Sequence, residues 1–142
     1  MIKTLILGLF FCLLGSSSWA QTYTATVVKV VDGDTINVSV PAWTGTPFNP
    51  ISLRIYGIDT PETSKQFAKC VKEVKLGKLA QTFARTLVKP GDTVNFTYLG
   101  HDKYFRIDAA VKLPDGTDWK TLLLSKGFAA PYLGGKKSSW CK

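Results

Sequence analysis

The sequence predicts a small α+β domain built on a β-barrel of about five strands, and three observations lead there. The chain has 142 residues, 45% hydrophobic and 20% charged, which fits one globular domain and excludes long repeat arrays, disorder and polytopic membrane insertion. Short β-branched segments recur between turn signals over most of its length. A single long stretch, Thr63 to Val88, switches to helical period.

The first twenty residues stand apart. Lys3 precedes an apolar run from Leu5 to Leu14, followed by small residues and Ser18-Trp19-Ala20. This pattern predicts a secretory signal peptide over residues 1–20, cleaved after Ala20. The apolar run is far shorter than the roughly 20 residues that cross a bilayer, so no membrane association is expected once the segment is removed. The mature domain, residues 21–142, keeps 122 residues and, with Lys3 gone, a formal charge of +7 in place of +8.

Along that domain, Tyr23 to Val31 and Thr35 to Val40 flank Asp32-Gly33-Asp34 and read as a hairpin. Pro41 to Pro50, with three prolines and a glycine, reads as a loop. Ser52 to Tyr56 alternates, placing Leu53 and Ile55 on one face and Arg54 on the other. Leu79, Phe83 and Leu87, spaced by four, predict an amphipathic helix starting near Gly77 or Lys78 and stopped by Lys89-Pro90-Gly91. Val94 to Tyr98 and Tyr104 to Lys112 form a second hairpin around Gly100-His101-Asp102-Lys103. Asp118 to Ser125 reads as a short helix with Asp118 at its N-cap and Gly127 as its stop. Five strands with two or three helices make a small α+β barrel.

Export decides the cysteines. Cys12 leaves with the signal, so Cys70 and Cys141 are the remaining pair, and in an oxidising compartment they are expected to bond. Closing about 70 residues is worth on the order of 4 kcal/mol in the chain-entropy model. With one histidine, His101, and no Cys-x-x-Cys, a thiol-based metal site is not expected.

Three segments collect polar residues that the alternating pattern leaves off the core: Asp32-Gly33-Asp34-Thr35, Arg54 with Asp59-Thr60-Pro61-Glu62, and Tyr104-Phe105-Arg106. Singly, each has an ordinary reading. Asp-Gly is a common turn, Asp59 to Glu62 matches a helix start with a capping box, and strand arginines are usually solvated. Together they supply carboxylates suited to a hard cation, two guanidinium forks that match phosphate oxygens, and a spare carboxylate able to activate water. That combination points to phosphodiester hydrolysis.

The sequence resembles the staphylococcal nuclease-like (thermonuclease) family, a calcium-dependent group built on an OB-fold barrel. The likeness runs from about Tyr23 to Tyr132 and is most specific in Val31-Asp32-Gly33-Asp34-Thr35 and in Arg54-Ile55-Tyr56-Gly57-Ile58-Asp59-Thr60-Pro61-Glu62. It implies that Asp34 and Asp59 bind Ca²⁺ through carboxylates and Thr60 through its backbone carbonyl. It implies Glu62 as general base, Arg54 and Arg106 on the scissile phosphate, and Lys103, Tyr104 and Tyr132 as substrate contacts, Tyr132 at a spacing one residue short of the archetype. The expected reaction is endonucleolytic hydrolysis of DNA and RNA, leaving 3′-phosphate and 5′-hydroxyl ends.

Phe105 stands where the family usually has glycine. Asp108, two residues beyond Arg106, is expected on the same strand face and placed to pair with it. The chain ends ten residues after Tyr132, so the archetype's long C-terminal helix is not expected, and the Cys70–Cys141 bond takes the place of its packing. The basic charge suits a polyanion. No base-reading motif is present, so little sequence specificity is expected, with exposed aromatics such as Tyr104 favouring single-stranded or locally unpaired bases. The domain is expected to be exported to the periplasm or medium and to act as a monomer. The competing reading is a catalytically silent OB-fold module that binds nucleic acid or another polyanion.

Overall fold

The computed structural model describes residues 20–142; the apolar run of the expected signal segment and Cys12 lie outside the described residues. Five strands close a barrel: β1 (Thr22–Asp32), β2 (Thr35–Ser39), β3 (Ile51–Ile55), β5 (Thr93–His101) and β6 (Ile107–Lys112). Their spatial order is β1-β2-β3-β6-β5, and every pairing is antiparallel except β3 with β6. A short ladder of β4 (Ile58–Asp59) with β7 (Ala130–Pro131) lies outside the barrel. This is the OB-type barrel that the sequence resemblance implies.

Period-two alternation explains which side chains fill the barrel. Ile36 and Val38, Leu53 and Ile55, Val94 and Phe96, and Ile107, Ala109 and Val111 all point inward and are buried. In β1 the register shifts between Val27 and Lys29, so Val27 and Val30 both turn inward although three residues apart. Such a bulge coils a strand around a barrel. The loop expected over 41–50 holds one 3₁₀ turn, Pro41–Trp43, whose tryptophan packs edge-on against Tyr23 and Phe96.

Two α-helices complete the domain. Helix α2 (Trp119–Ser125) is capped as expected, with Asp118 accepting the Thr121 N–H at 2.9 Å. Its Trp119 is fully buried and donates its indole N–H to the Gly33 carbonyl at 3.2 Å, fixing the β1–β2 turn from beneath. Helix α1 (Val71–Leu87) begins six residues before Gly77, earlier than the periodicity predicts. The cause is Cys70, an N-cap whose sulfur accepts the Glu73 N–H at 3.4 Å. Cys70 is bonded to Cys141, as expected.

The face of α1 also differs from the Leu79–Phe83–Leu87 stripe. Its buried seam is Glu73, Val74, Gly77, Ala80 and Ala84, while Leu79 is 56% exposed. Small residues win this face because the helix backbone comes very close to the loops after β1 and β4. A Cβ on Gly77 would lie 2.4 Å from the Glu62 carbonyl oxygen, and one on Gly33 would lie 3.0 Å from the Ala80 methyl. No helix starts at Asp59, which ends β4 instead, so the capping-box reading of Asp59 to Glu62 does not hold. No helix follows β7 among the described residues, as expected.

Strand β6 begins at Ile107 and not at Tyr104. Asp102 to Arg106 fold into a turn around the Asp102 carboxylate, which accepts the N–H groups of Tyr104 at 2.8 Å and Arg106 at 3.1 Å. Phe105 within it has φ of 60°, the left-handed region in which glycine is at ease and a bulky side chain is strained.

Candidate active site

The β1–β2 turn, the end of β3, the β4 segment and the 102–106 turn all open onto one cleft of about 790 Å³. Asp34, Arg54, Asp59, Thr60 and Glu62 line it from one side. Lys103, Tyr104 and Arg106 line it from the β5–β6 turn, with Tyr132 beyond β7. All nine residues singled out in the sequence therefore share one cavity; Cys70 and Cys141 lie outside it.

The acidic side is assembled by backbone contacts between motifs far apart in the chain. Asp34 is buried; its carboxylate accepts the Thr35 hydroxyl at 2.9 Å and, across 26 residues, the Thr60 N–H at 3.3 Å. Arg54 projects outward from β3 because Leu53 and Ile55 take the inward positions. Its Nη2 donates to the Ile58 carbonyl at 2.9 Å and lies 3.5 Å from Asp34 Oδ2 and 3.6 Å from Asp59 Oδ1. One guanidinium nitrogen thus stands between two buried carboxylates. Burial pushes the Asp34 carboxyl above its usual range, against the lowering effect of Arg54 and of the Thr35 hydrogen bond.

The loop carrying Glu62 rests on α1. Buried Glu73 accepts the Glu62 N–H at 3.4 Å with one oxygen and the Lys69 N–H at 2.8 Å with the other. Asp32 accepts the Thr63 hydroxyl at 3.1 Å. The Glu62 side chain itself reaches the cleft, where Lys137 approaches within 3.3 Å.

On the opposite wall, Arg106 is held by Asp102 and not by Asp108. Its Nε and Nη2 each stand 2.7 Å from Asp102 Oδ2. The expected Arg106–Asp108 pair is corrected on this point: Arg106 precedes β6, so strand alternation does not put the two on a shared face. Asp108 instead lies in register with Arg54 on the neighbouring parallel strand. Burial raises its carboxyl above the usual range, with Arg54 the main opposing charge. The rings of Tyr104 and Tyr132 flank the cations, with Tyr104 5.5 Å from the Arg106 guanidinium carbon and Tyr132 5.9 Å from that of Arg54.

Three participants escape the motif reading, Glu73, Asp102 and Lys137, while Asp32 lies within a motif that gives it no role of its own. Asp102 had a legible signal, an acid four residues before Arg106 within a turn. Lys137 had none, since it lies 75 residues from its partner Glu62.

The donor set fits a hard cation in a limited way. Asp34 and Asp59 are two buried carboxylates on either side of Arg54 Nη2. No group of three or more His, Cys, Asp or Glu side chains forms a cage among the described residues. Side chains thus offer two ligands, and carbonyl or water oxygens would complete the shell.

A closed five-stranded barrel thus presents paired carboxylates and two arginines in one open cleft. Comparison with known proteins gives the family. The family model described as "Staphylococcal nuclease homologue" matches residues 52–139, and the chain belongs to that family. It is 31% identical over 114 residues to "Endonuclease YhcR" of Bacillus subtilis (strain 168), a match spanning 78% of this chain and 9% of that protein. It is also 31% identical over 106 residues to an "Uncharacterized endonuclease" of Escherichia coli, covering 75% of this chain and 59% of the relative. The chain therefore spans less than two thirds of the length of either relative.

Proposed function

We propose that this protein is an exported, Ca²⁺-dependent nuclease that hydrolyses phosphodiester bonds in DNA and RNA with little sequence specificity. The observation that carries the reading is Arg54 Nη2 lying within 3.6 Å of both Asp34 and Asp59, in the same cleft as Glu62 and Arg106. Relatives bearing the name endonuclease support the reaction class. The Cys70–Cys141 bond supports export, because disulfides persist in oxidising compartments.

In this reading Asp34, Asp59 and the Thr60 carbonyl would hold Ca²⁺, which supplies Lewis-acid stabilisation of phosphoryl charge when bound. Glu62 takes a proton from the attacking water. Arg54 and Arg106 orient the phosphate and offset the negative charge that grows on its oxygens, an effect worth roughly 10²–10³ in rate per contact. The water oxygen bonds to phosphorus as the bond to the 5′-oxygen breaks. That oxygen takes up a proton from solvent while Glu62 releases its own, giving a 3′-phosphate and a 5′-hydroxyl. Asp102 keeps Arg106 extended toward the cleft. Tyr104, 66% exposed, is free to stack on an unpaired base, and Lys103 beside it meets a neighbouring phosphate.

One observation favours the alternative of a catalytically silent polyanion-binding module: Glu62 and Arg106 both already sit in ion pairs. Incubating mature protein with single- and double-stranded DNA and with RNA, in Ca²⁺ or in chelator, separates the two. Cleavage that needs calcium, yields 3′-phosphate ends and falls sharply in Glu62→Gln and Arg106→Ala is the expected result. Retention of intact nucleic acid under every condition supports the silent module.

A further inference from the structure

Lys137 belongs to none of the motifs, yet its ammonium makes the closest ion pair on the acidic side of the cleft. Nζ lies 2.7 Å from Asp59 Oδ1 and 3.3 Å from Glu62 Oε1, and 5.9 Å from the centre of the Tyr132 ring. Asp59 is 4% exposed, so this is not an ordinary surface pair between two solvated side chains, whose contribution is usually small. Asp59 has two cationic partners, Arg54 and Lys137, both on Oδ1.

The segment that carries Lys137 is fastened at both ends. Upstream, Ala130 pairs with Asp59 in the β4–β7 ladder, and the Tyr132 N–H donates to the Gly57 carbonyl at 2.9 Å. Downstream, Cys141 is bonded to Cys70, the N-cap of the helix whose Glu73 holds the Glu62 backbone. Between these anchors Gly134 and Gly135, with φ of 107° and 78°, turn the chain sharply enough for Lys137 to come back over the cleft. The disulfide thus joins the strap bearing Lys137 to the helix bearing the Glu62 support.

We propose that Lys137 is a positioning residue of the site: it holds the Asp59 and Glu62 carboxylates and competes with a divalent cation for Asp59. The Cys70–Cys141 bond keeps it there. The inference rests on the reading of Asp59 as a calcium ligand. Two positive charges cannot share one carboxylate oxygen at full strength, so calcium must displace or weaken the ammonium, and the strap sets how easily that happens.

The test is calcium titration by calorimetry on mature protein, beside limited amine labelling read by mass spectrometry. Lys137→Ala is expected to bind Ca²⁺ roughly three- to tenfold more tightly than the wild type, because calcium no longer has to displace the ammonium from Asp59. Lys137→Arg, which keeps the charge, is expected to remain near the wild type. Lys136→Ala, exposed and without an ion pair among the described residues, should leave affinity unchanged. Cys141→Ser should shift affinity in the same direction as Lys137→Ala. Under limiting reagent Lys137 should label more slowly than Lys136 and gain reactivity when calcium is added. Unchanged or weaker calcium binding in Lys137→Ala, with the wild type binding normally, overturns this inference alone. No calcium binding by the wild type overturns it together with the calcium reading.

Discussion

The backbone N–H of Glu62 is held by the carboxylate of Glu73, buried in the first turn of α1. The distance of 3.4 Å is long, but the second Glu73 oxygen takes the Lys69 N–H at 2.8 Å, so one side chain spans the loop from both sides. Glu73 touches no substrate, and its effect on Glu62 is conformational. Glu73→Ala is expected to lower stability by about 1–3 kcal/mol, since the buried carboxylate that accepts from two backbone N–H groups is lost, and to reduce kcat more than KM. Urea unfolding and steady-state kinetics on the same variant check both.

Gly77 gives a sharper test of the same support. Alanine normally stabilises a helix by about 1 kcal/mol over glycine. Here the added methyl would stand 2.4 Å from the Glu62 carbonyl oxygen and 2.7 Å from that of Pro61, so helix and loop must separate. Gly77→Ala is expected to lose stability and activity together, measured by thermal unfolding and single-strand cleavage.

Arg54 neutralises two carboxylates that are nearly out of water. Arg54→Ala leaves both without it and is expected to cost about 3–5 kcal/mol in stability. Arg54→Lys keeps a charge but loses the planar guanidinium whose Nη2 reaches Ile58 and both acids, and should retain most of the stability with kcat down roughly 10²-fold. Chemical denaturation of both variants beside their kinetics separates the structural from the chemical share.

The 102–106 turn carries a pH dependence of defined sign. Burial acts to raise the Asp102 carboxyl, but hydrogen bonds from the Arg106 side chain and from the Tyr104 and Arg106 N–H groups, with the Arg106 charge, hold it below its ordinary value of 3.8. A carboxyl lowered by folding contributes stability above its unfolded pKa, and that contribution disappears as pH falls through the folded value. The stability difference between wild type and Asp102→Asn is therefore expected to be constant above about pH 5 and to shrink below about pH 4. Urea midpoints across pH 2 to 7 measure it.

Cys70 and Cys141 close 71 residues, which in the chain-entropy model stabilises the folded domain by about 4 kcal/mol. Reduction should lower the unfolding midpoint and also fray the start of α1, because Cys70 is its N-cap. Amide exchange at Glu73 and Val74 before and after reductant reads the second effect separately from the first.

The barrel was legible because its signal is local. Leu53, Arg54 and Ile55 alternate as a strand must, and that alternation puts Arg54 on the cleft side. The Asp118 cap follows from chemistry within four residues. The face of α1 was not legible, because Gly77 and Ala80 are there to admit the backbone of Glu62 and the turn at Gly33, contacts between distant segments. The 102–106 turn hid for a related reason: side-chain alternation from Tyr104 onward imitates a strand, while the Asp102 carboxylate satisfies the N–H groups that a strand would pair. Lys137 depends on a strap whose path is set by the disulfide and two glycines, so periodicity offered no trace of it.

The most direct measurement is cleavage of a single-stranded DNA oligonucleotide by the mature protein and by Asp34→Asn, each in calcium and in excess chelator. Wild-type cleavage in calcium alone, with none from Asp34→Asn, is the predicted result. Cleavage that survives chelator, or that Asp34→Asn retains in full, would contradict the claim that the buried acidic pair and the arginines of this cleft act on one phosphate.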